Sequence, residues 1–563
     1  MPAPSTPKWA LDPLTVVDGI FASDTARFRD DPESLRTEVE RFFQERLRSS
    51  TFDYRYLVPS INGLSKDEVQ ALSPNILVRF RCMVQDEKQM SYHQPMLHIR
   101  NEVSGDTHYV CSIFKISVPV LENETVVGLG DPSSLREMRS VSCVPLPAEA
   151  KWVCSLNDEM QQKTRLFGSL LAEDKENAVG ANITVIANLF AGAGSAIGIN
   201  DSIELFGTLQ KSTADITGDV DGEAVPARDE KSMEIRMSVL VYEELSHAHP
   251  ALPLAKADLS LLAATEQSID STRKLLFDRL LRCLRGDELS TQYILMYLLS
   301  STYSWTADMA IGNFSLNVID IPEDALFLSR LLSQVEDVVT QLRTFGLTVA
   351  NLNSSRMAPL IKERQTDMEH DLQPGFLQLP KHTHLVLDEL GMTTGTLNDA
   401  GVRNVMALQR LAKDQELLFD YEFGVQAAFR MDIPLLVLSQ GRSLVECRYV
   451  VPLASNVLTG ADFRDLDTLS EKDMWRIRQY LVMAKFAEYE IATGLRQAIV
   501  EEFVETRKSD RSLSGEQLHN QLELARYLCI SHGEKTLTKE RWEEAVGMEK
   551  TRQARLKDLA ASR

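Results

Sequence analysis

The chain reads Leu385-Val386-Leu387-Asp388-Glu389 between two stretches that are rich in turn-forming residues. A short run of apolar residues predicts a strand that is buried on both faces, as in a parallel sheet. Two carboxylates directly after such a strand are typical of nucleotide sites, where the aspartate orients magnesium and the glutamate polarises the attacking water. Such a site also needs a glycine-rich loop that ends in Lys-Ser or Lys-Thr at the start of a helix.

The chain contains no match to that phosphate-binding loop. Residues 286–293 precede a predicted helix and can be compared with such a loop, but Leu289 stands at a required glycine and Gln292 at the required lysine. Gly441-Arg442-Ser443 imitates the end of the loop, but its leading glycine falls on Leu436, so a turn is predicted. The sequence therefore indicates an α/β core without a grip on triphosphate.

The other short motifs do not predict chemistry. Residues 192–198 miss the dinucleotide-binding fingerprint because Ile197 occupies its third glycine position, and a hairpin connection is predicted instead. Two histidine pairs occur on alternate-residue spacing: His247 and His249, and His382 and His384. Neither has Cys, Asp or Glu nearby at zinc-ligand spacing, which favours hydrogen-bonded or exposed histidines. No catalytic, cofactor-binding or metal-binding residues are predicted.

The composition indicates an intracellular, multidomain protein. At 563 residues the chain is too long for one core, and three or four domains are expected. A formal net charge of −21 argues against broad binding to nucleic-acid phosphates and favours protein partners, especially basic ones. Seven cysteines without a Cys-x-x-Cys pair predict reduced thiols. No apolar run reaches membrane-spanning length, and residues 1–30 lack the layout of a secretion signal.

Residues 1–65 are predicted to form an extended arm followed by a helix. Asp31-Pro32 is a typical helix start, and apolar residues then recur at helical spacing. Ahead of it, Trp9, Leu14 and Phe21 lie in a segment without a strong period. These three residues are candidates for binding a partner. A tail that folds back onto its own core is the alternative, with equal support.

Residues 66–250 are predicted to form one or more small β-domains. Strand-like runs occupy residues 76–84, 109–120, 141–145, 183–190, 202–209 and 235–242. Alternate residues from Ile76 to Val84 are apolar and share one face. Many short strands with polar connections favour barrels of the oligonucleotide/oligosaccharide-binding (OB) type, with a sandwich as the alternative. The acidic residues 215–230 are predicted to form a solvated loop.

Residues 251–469 alternate between helical and strand-like patterns. Helices are predicted at 269–284, 289–299 and 322–342, strands at 314–318, 347–349, 385–387 and 433–438, and a polar loop at 351–375. Strands separated by helices favour a parallel sheet that is covered on both faces. Residues 470–563 then read as helices, with capping-box patterns that begin at Ser470 and Ser514. An α/β domain followed by a helical bundle is the layout of AAA+ proteins.

Several blocks of the chain resemble the family of minichromosome-maintenance complex-binding proteins. The blocks are QLPKHTHLVLDE (378–389), GTLNDAGVRN (395–404), DIPLLVLSQGRS (432–443), LVRFRCMVQD (77–86), GDELS (286–290) and the opening Trp9…Asp12-Pro13-Leu14. The resemblance covers nearly the whole chain. Residues 87–90 and 366–373 depart from the family pattern, which indicates a divergent member.

The resemblance implies a multidomain α+β protein with OB-like β-domains, then an AAA+-like α/β core that lacks nucleotide motifs, then a helical lid-like bundle. It also implies a non-enzymatic partner, without a cofactor, that forms a hetero-oligomer with minichromosome-maintenance helicase subunits in the nucleus. Such a partner would stabilise unloaded helicase assemblies or promote unloading from chromatin during DNA replication. Its own association with chromatin would be indirect.

The resemblance also invites comparison with the helicase subunits themselves, and that comparison further indicates that the AAA+-like core does not hydrolyse nucleotide. Where those subunits carry a lid arginine, this chain has Glu516-Gln517-Leu518-His519. Residues 461–465 contain the residue types of an arginine finger in the wrong order. The phosphate loop, the lid arginine and the finger are therefore all missing from the sequence.

Two other functions stay open on the residues alone. A divergent AAA+ ATPase would use Asp388 and Glu389 together with a phosphate grip of another kind. A single-stranded-DNA-binding replication factor would use the β-domains, although the net charge of −21 argues against it. Magnesium-ATP binding that depends on Asp388 would favour the first, and salt-sensitive affinity for DNA would favour the second.

Overall fold

In the computed structural model, the chain forms two compact units. The first holds the described residues of Met1–Pro147 and Ser155–Leu245, and the second holds Ala148–Cys154 and the described residues after 268. The structure describes residues 7–48, 54–73, 75–88, 90–115, 118, 120–128, 134–155, 183–190, 197–210, 235–245, 269–306, 309–322, 325–363, 370–421, 424–454, 469–509 and 514–562. Together they make a mixed α+β protein.

The first unit is built on a closed β-barrel of five strands. The strands of the whole first unit are β1 (Leu77–Glu87), β2 (Ser91–His93), β3 (Met96–Asn101), β4 (Thr107–Cys111), β5 (Glu124–Val127), β6 (Arg136–Pro145), β7 (Val185–Phe190), β8 (Ser202–Gln210) and β9 (Ile235–Glu244). The barrel has the order β1-β8-β9-β7-β6 and closes because β6 also pairs with β1. Neighbours are antiparallel except β7 and β9, which are parallel. A barrel therefore forms, and not the alternative sandwich.

The alternation in residues 76–84 fills the barrel interior, as the sequence predicts. Val78, Phe80, Cys82 and Val84 of β1 lie in one buried cluster with Leu205 of β8. Because successive side chains of a strand point to opposite faces, the residues between them face outward. The period-two pattern therefore identified the inward face of this strand correctly.

A small three-stranded antiparallel sheet is inserted between β1 and β6, in the order β4-β3-β5. It falls partly on the strand predicted over residues 109–120. That strand is shorter in the structure, since β4 ends at Cys111. Ser112 and Ile113 turn away and donate their backbone N–H groups to the carbonyl of Pro95, at 2.9 and 3.0 Å.

The N-terminal residues form helices rather than the predicted extended arm. The helices of the first unit are α1 (Lys8–Leu11), α2 (Pro13–Ser23), α3 (Thr25–Asp30), α4 (Pro32–Leu47) and α5 (Lys66–Ala71), with a 3-10 turn at Tyr54–Leu57. α4 begins at Pro32 as predicted. The arm is helical because Asp12 and Asp24 cap α2 and α3, each accepting a backbone N–H of the first turn.

These N-terminal helices pack on the outer face of the barrel. Phe43 and Leu47 of α4 share a buried cluster with Phe206 of β8. At the end of α4, Arg48 contacts the carboxylate of Glu243 through two hydrogen bonds of 2.8 and 2.7 Å. Arg55 donates to the same carboxylate at 3.0 Å. Bidentate, charge-assisted contacts of this kind attach the helical segment firmly to β9.

One histidine makes the first unit sensitive to acid. Withdrawal from water lowers the pKa of His93 to about 4. Between about pH 6.5 and 4 the unfolded chain therefore takes up a proton that the folded chain does not, so stability falls as the pH falls. We expect the free energy of unfolding to drop by about 1–2 kcal/mol between pH 7 and pH 5 through this residue.

Urea unfolding of a matched pair of variants, followed by circular dichroism at pH 7 and 5, checks the expectation for His93. The His93→Phe variant keeps an aromatic ring against Phe190, whose centroid lies 4.8 Å from that of His93. It should lose less stability on acidification than the wild type, whereas the exposed-site variant His108→Gln should lose as much as the wild type. An unchanged pH dependence in His93→Phe would contradict the assignment.

The second unit is built on a five-stranded parallel sheet. The strands of the whole second unit are β10 (Ser304–Trp305), β11 (Ala310–Ile311), β12 (Ser315–Ile319), β13 (Leu342–Gly346), β14 (Leu360–Glu363), β15 (His370–Gln373), β16 (His384–Asp388), β17 (Glu416–Tyr421), β18 (Gln426–Arg430), β19 (Leu435–Leu438) and β20 (Tyr449–Pro452). The sheet order is β13-β16-β19-β12-β20, and all pairs are parallel. The predicted parallel sheet is confirmed.

The sheet is covered on both faces, because Leu385, Val386 and Leu387 of β16 are all fully buried. The helices of this unit are α6 (Ile269–Cys283), α7 (Glu288–Leu299), α8 (Ala325–Glu336), α9 (Val349–Ser354), α10 (Asp399–Asp414), α11 (Glu471–Lys485), α12 (Thr493–Ser509), α13 (Gly515–Ser531) and α14 (Lys539–Ser562). One large apolar cluster joins Val386 and Leu436 of the sheet to Tyr297 of α7 and Leu528 of α13.

Three predictions between residues 322 and 375 were wrong. The helix predicted through Leu342 ends at Glu336, and Leu342 begins β13, because Thr340 and Leu342 bond to the backbone of residues 148–150. The strand predicted at 347–349 is a helix start, since the Thr348 hydroxyl caps α9. The polar loop predicted over 351–375 contains α9 and the antiparallel pair β14 and β15.

The described residues after 468 are helical, as predicted, apart from their connections. The capping box at Ser514 is present in full: the Ser514 hydroxyl accepts the N–H of Gln517, and the Gln517 side chain accepts the N–H of Ser514. At α11, the Ser470 hydroxyl accepts the N–H of Asp473 at 3.2 Å. Both helices therefore begin where the sequence placed their caps.

Candidate functional site at the carboxyl edge of the parallel sheet

The carboxyl ends of β12, β16 and β19 lie side by side. β19 is paired with both of the other strands, so Asp388 is opposite Leu438 and Leu438 is opposite Val318. In open α/β sheets, ligands bind in a crevice outside this edge, where the strand order reverses. The edge is therefore the place to test the Asp388-Glu389 pair.

The carboxylate of Asp388 stabilises its own loop. Its Oδ1 accepts the backbone N–H of Leu390 at 3.0 Å, two residues further along. The backbone carbonyl of Asp388 accepts the N–H of Leu347 at 2.7 Å, where the chain leaves the neighbouring strand. Asp388 thus closes the turn after β16.

The carboxylate of Glu389 contacts a neighbouring loop. Its Oε1 accepts the N–H of Leu444 at 2.9 Å, six residues after the end of β19. Burial raises the pKa of the Cys447 thiol, and the negative charge of Glu389 raises it further. Both carboxylates therefore accept hydrogen bonds from loop backbone at this edge.

In this fold, the place for a phosphate loop is the connection after β12. The segment that begins at residue 286, which the sequence analysis compared with such a loop, lies elsewhere. A phosphate loop joins a strand of the sheet to the next helix, and β12 leads to α8 through Asp320-Ile321-Pro322-Glu323-Asp324. This sequence has three carboxylates, a proline without an N–H, and neither glycine nor lysine. Ile321 donates its N–H to Ser439 at 3.3 Å, which ties the connection to the end of β19. By residue type, the connection therefore lacks the glycines and the lysine of a phosphate loop.

The segment that begins at Gly286 is also unsuited to an anion. It follows helix α6, not a strand, and Asp287 caps α7 by accepting the N–H groups of Leu289 and Ser290. Asp287 Oδ2 lies 2.7 Å from Nη1 of Arg555 and accepts the N–H of Ala454 at 2.9 Å. The helix N-terminus that would attract phosphate is therefore occupied by a carboxylate of the same chain.

Charge pairing keeps this capping carboxylate ionised. Burial alone would raise the pKa of Asp287, but the hydrogen bonds from Arg555, Ala454 and Ser290 outweigh it, and the pKa lies below its ordinary value. The arginine comes from α14, and its Nη1 also donates to the carbonyl of Pro452 at the end of β20, at 3.2 Å. The sequence analysis missed Arg555, because only the fold brings it to a carboxylate 268 positions away.

The remaining motifs have structural contacts where they are described. Gly441-Arg442-Ser443 forms bends after β19, in agreement with the predicted turn. His384 is buried, its Nε2 lies 3.3 Å from the carbonyl of Leu298, and burial lowers its pKa well below the ordinary value. Nδ1 of His382 lies 2.8 Å from Asp432. In the described part of the chain, no group of three or more His, Cys, Asp or Glu side chains could hold a metal ion.

Several predicted features lie outside the described residues. They are His247 and His249, most of the segment 192–198, the acidic loop 215–230 and the stretch 461–465. The lid segment 516–519 is described and lies in the first turn of α13, where Nε2 of His519 is 3.0 Å from Oε1 of Glu523.

The three residues considered for partner binding lie in the first unit. The ring of Trp9 packs edge-on against Phe43 and Tyr54, with centroids 6.1 Å apart in both cases. Phe21 is buried in the cluster between the N-terminal helices and the barrel, and Leu14 packs against it. The structure thus supports the folded-back tail, and a role of these residues in binding a partner stays a prediction.

Arginines of the barrel are engaged with carboxylates of the same unit. Arg79 lies 3.5 Å from the fully buried Glu204. Arg139 donates to Glu87 at 2.6 Å. Arg79 and Arg139 are therefore paired within the first unit.

Among the described helices, none is long and apolar enough to cross a membrane.

Comparison with known proteins gives a match along the chain. The model of the family described as mini-chromosome maintenance replisome factor matches residues 43–177 and 184–556. The mini-chromosome maintenance complex-binding protein of Danio rerio is 26% identical, with 98% of each chain covered, and that of Gallus gallus is 25% identical with the same coverage. The protein of that name from Arabidopsis thaliana is 24% identical over 88% of this chain and 90% of its own.

Proposed function

Because the chain belongs to the mini-chromosome maintenance replisome factor family, we propose that it is a non-enzymatic binding partner of the minichromosome-maintenance complex. It would act in the nucleus as part of a hetero-oligomer with subunits of that complex. By occupying a subunit-like position, it would stabilise unloaded assemblies or promote their unloading from chromatin during DNA replication. Its own association with chromatin would be indirect.

The observation that carries the proposal is the full-length similarity to proteins named for binding this complex. The Danio rerio relative and this chain each align over 98% of their length. An alignment of this extent includes both units of the chain. A shared function therefore does not depend on a single shared domain.

The topology of both units supports a subunit-like architecture. In the barrel, the first strand pairs with the second and the fourth, and the third is parallel to the fifth, as in an OB-fold. In the parallel sheet, numbering the strands along the chain gives the order 2-3-4-1-5, which is the order of AAA+ cores. The helices after residue 468 would then correspond to a lid.

The carboxyl edge supports the non-enzymatic part of the proposal. The carboxylates of Asp388 and Glu389 hold loops, and the connection after β12 begins with Asp320-Ile321-Pro322 where a phosphate cradle is needed. A protein with the outline of a motor subunit but no grip on triphosphate can bind beside genuine subunits without cycling. It would then exclude the genuine neighbour by mass action.

Co-purification tests the proposal. We expect the tagged protein to capture subunits of the minichromosome-maintenance complex from nuclear extract, with and without magnesium-ATP. The variant Asp388→Asn should capture them equally well, because the asparagine carbonyl can still accept the Leu390 N–H. Capture of no subunit would overturn the binding role. Phosphate release by the purified protein that Asp388→Asn abolishes would overturn the non-enzymatic role.

A further inference from the structure

Helix α10 exposes an apolar pair on its outer side. Val402 and Met406 are 47% and 66% exposed, whereas Leu408 and Leu411 of the same helix are buried. Residues four positions apart are neighbours on a helix surface. The two side chains therefore form one continuous apolar strip rather than two isolated exposures.

The loop after β19 is held beside this strip. Gln409, one turn after Met406, donates to the carbonyl of Glu446 at 3.2 Å and accepts the N–H of Glu446 at 2.8 Å. Leu444 of this loop is 40% exposed, and its N–H is bonded to Glu389 at 2.9 Å. Because the loop is bonded at both places, Leu444 is preorganised next to the helix.

Exposed arginines lie on the same helix and the same loop as the apolar residues. Arg403 is exposed on α10, and the Arg442 side chain in the loop is 90% exposed. The 3.5 Å contact between Arg442 and Glu446 joins two exposed groups and neutralises little in water. In a chain with a net charge of −21, an apolar surface edged by arginines is complementary to an acidic partner. We call Val402, Arg403, Met406, Arg442 and Leu444 the α10 patch.

We propose that the α10 patch binds an amphipathic helix of a minichromosome-maintenance subunit, one that carries apolar side chains edged by carboxylates. This inference rests on the proposed function and assigns a surface to it. The apolar strip of α10 and Leu444 would receive the apolar face of the partner helix, whose anchors recur at three- and four-residue spacing. A methionine suits such a contact because its flexible side chain adapts to the partner. The two arginines would pair with the carboxylates at the edge and speed encounter.

The direct test is a double substitution with a matched control. In Val402→Glu/Met406→Glu the strip becomes acidic, and we expect the Kd for the purified minichromosome-maintenance complex to rise by about 30-fold or more. The control is Val500→Glu/Val504→Glu on α12, where two valines with the same four-residue spacing are 50% and 48% exposed. The control should bind within about threefold of the wild type. Both double variants should keep the wild-type melting temperature, since all four side chains face water.

Salt dependence tests the arginines separately. We expect Arg403→Glu/Arg442→Glu to weaken binding by about tenfold at low ionic strength, and the difference from wild type to shrink in high salt, because screening removes the charge term. A salt-independent loss would contradict pairing with carboxylates.

The outcomes separate this inference from the proposed function. If the wild type itself binds no part of the complex, both fail. If the wild type binds and Val402→Glu/Met406→Glu binds within threefold of it, the α10 patch is not the surface and the proposed function stands. Equal losses in the α10 and α12 variants would also overturn the assignment to α10.

Discussion

Replacement of Glu523 by glutamine is expected to lower the free energy of unfolding of the second unit by about 3–5 kcal/mol. The Glu523 side chain is only 3% exposed, and its Oε2 accepts Nη1 of Arg448 at 2.6 Å. Its Oε1 accepts the N–H of Gly312 at 2.8 Å. Glutamine can still accept the N–H of Gly312, but it leaves the largely buried guanidinium of Arg448 without this counter-charge.

Tryptophan fluorescence during thermal unfolding measures this loss, because four of the five tryptophans lie in the second unit: Trp152, Trp305, Trp475 and Trp542. The midpoint should fall by about 5 °C or more. The matched control is Glu505→Gln, which breaks an exposed pair with Lys508 on α12 and should cost less than about 0.5 kcal/mol. Equal stability of the two variants would show that the buried pair contributes nothing.

A double variant tells whether the loss comes from the orphaned charge. In Arg448→Met/Glu523→Leu both charges are replaced by apolar side chains, so no buried ion is left unpaired. We expect this variant to be more stable than Glu523→Gln, since buried pairs replaced together are often neutral. A double variant no more stable than the single one would assign the loss to packing or to the Gly312 N–H, which leucine leaves without its acceptor.

Replacement of Gly207 by alanine is expected to destabilise the barrel of the first unit by about 3 kcal/mol or more. A Cβ atom at this position would overlap the carbonyl oxygen of Ser238 and lie 3.1 Å from the Cα of Val239. Gly207 is where the register between β8 and β9 shifts. The obstructing atoms belong to the backbone of the paired strand, so they cannot rotate away as a side chain could.

Amide hydrogen exchange in β8 and β9 measures the effect, with faster exchange in Gly207→Ala than in the wild type. Gly19→Ala is the matched control: Gly19 lies inside α2, and a Cβ there meets nothing within 4 Å. It should raise stability by about 0.5–1 kcal/mol, because alanine favours a helix over glycine. A Gly207→Ala variant with wild-type exchange would mean that the two strands can separate at this point without loss.

Local patterns predicted the elements of this protein where one short segment decides its own structure. The apolar run at Leu385–Leu387, the alternation in residues 76–84 and the cap at Ser514 each formed as predicted. The errors at Thr340 and Leu342 arose because these residues pair with residues 148–150, almost two hundred positions earlier. Helical spacing of apolar residues does not show that a distant segment will take the backbone hydrogen bonds that the predicted helix would need.

The candidate site, too, could be predicted only where residue types along the chain decide its properties, and not where distant segments meet. The missing glycines and lysine of a phosphate loop are read from residue types, which need no coordinates. The sequence analysis compared the wrong connection with that loop, because only the strand order shows that Asp320 follows β12 beside β19. The helical arm and the buried pair of Arg448 with Glu523 were likewise outside its reach.

The amino-acid sequence by itself determined that this chain has a buried strand ending in two acids, no match to the phosphate-binding loop motif, and the blocks of a known family. These properties depend on residue type and on neighbours along the chain. The tertiary structure alone decided that Glu389 bonds to Leu444, that Arg555 reaches Asp287, and that Met406 stays exposed. Each depends on which distant segments meet, and that is set by burying apolar surface over the whole chain rather than by local preference.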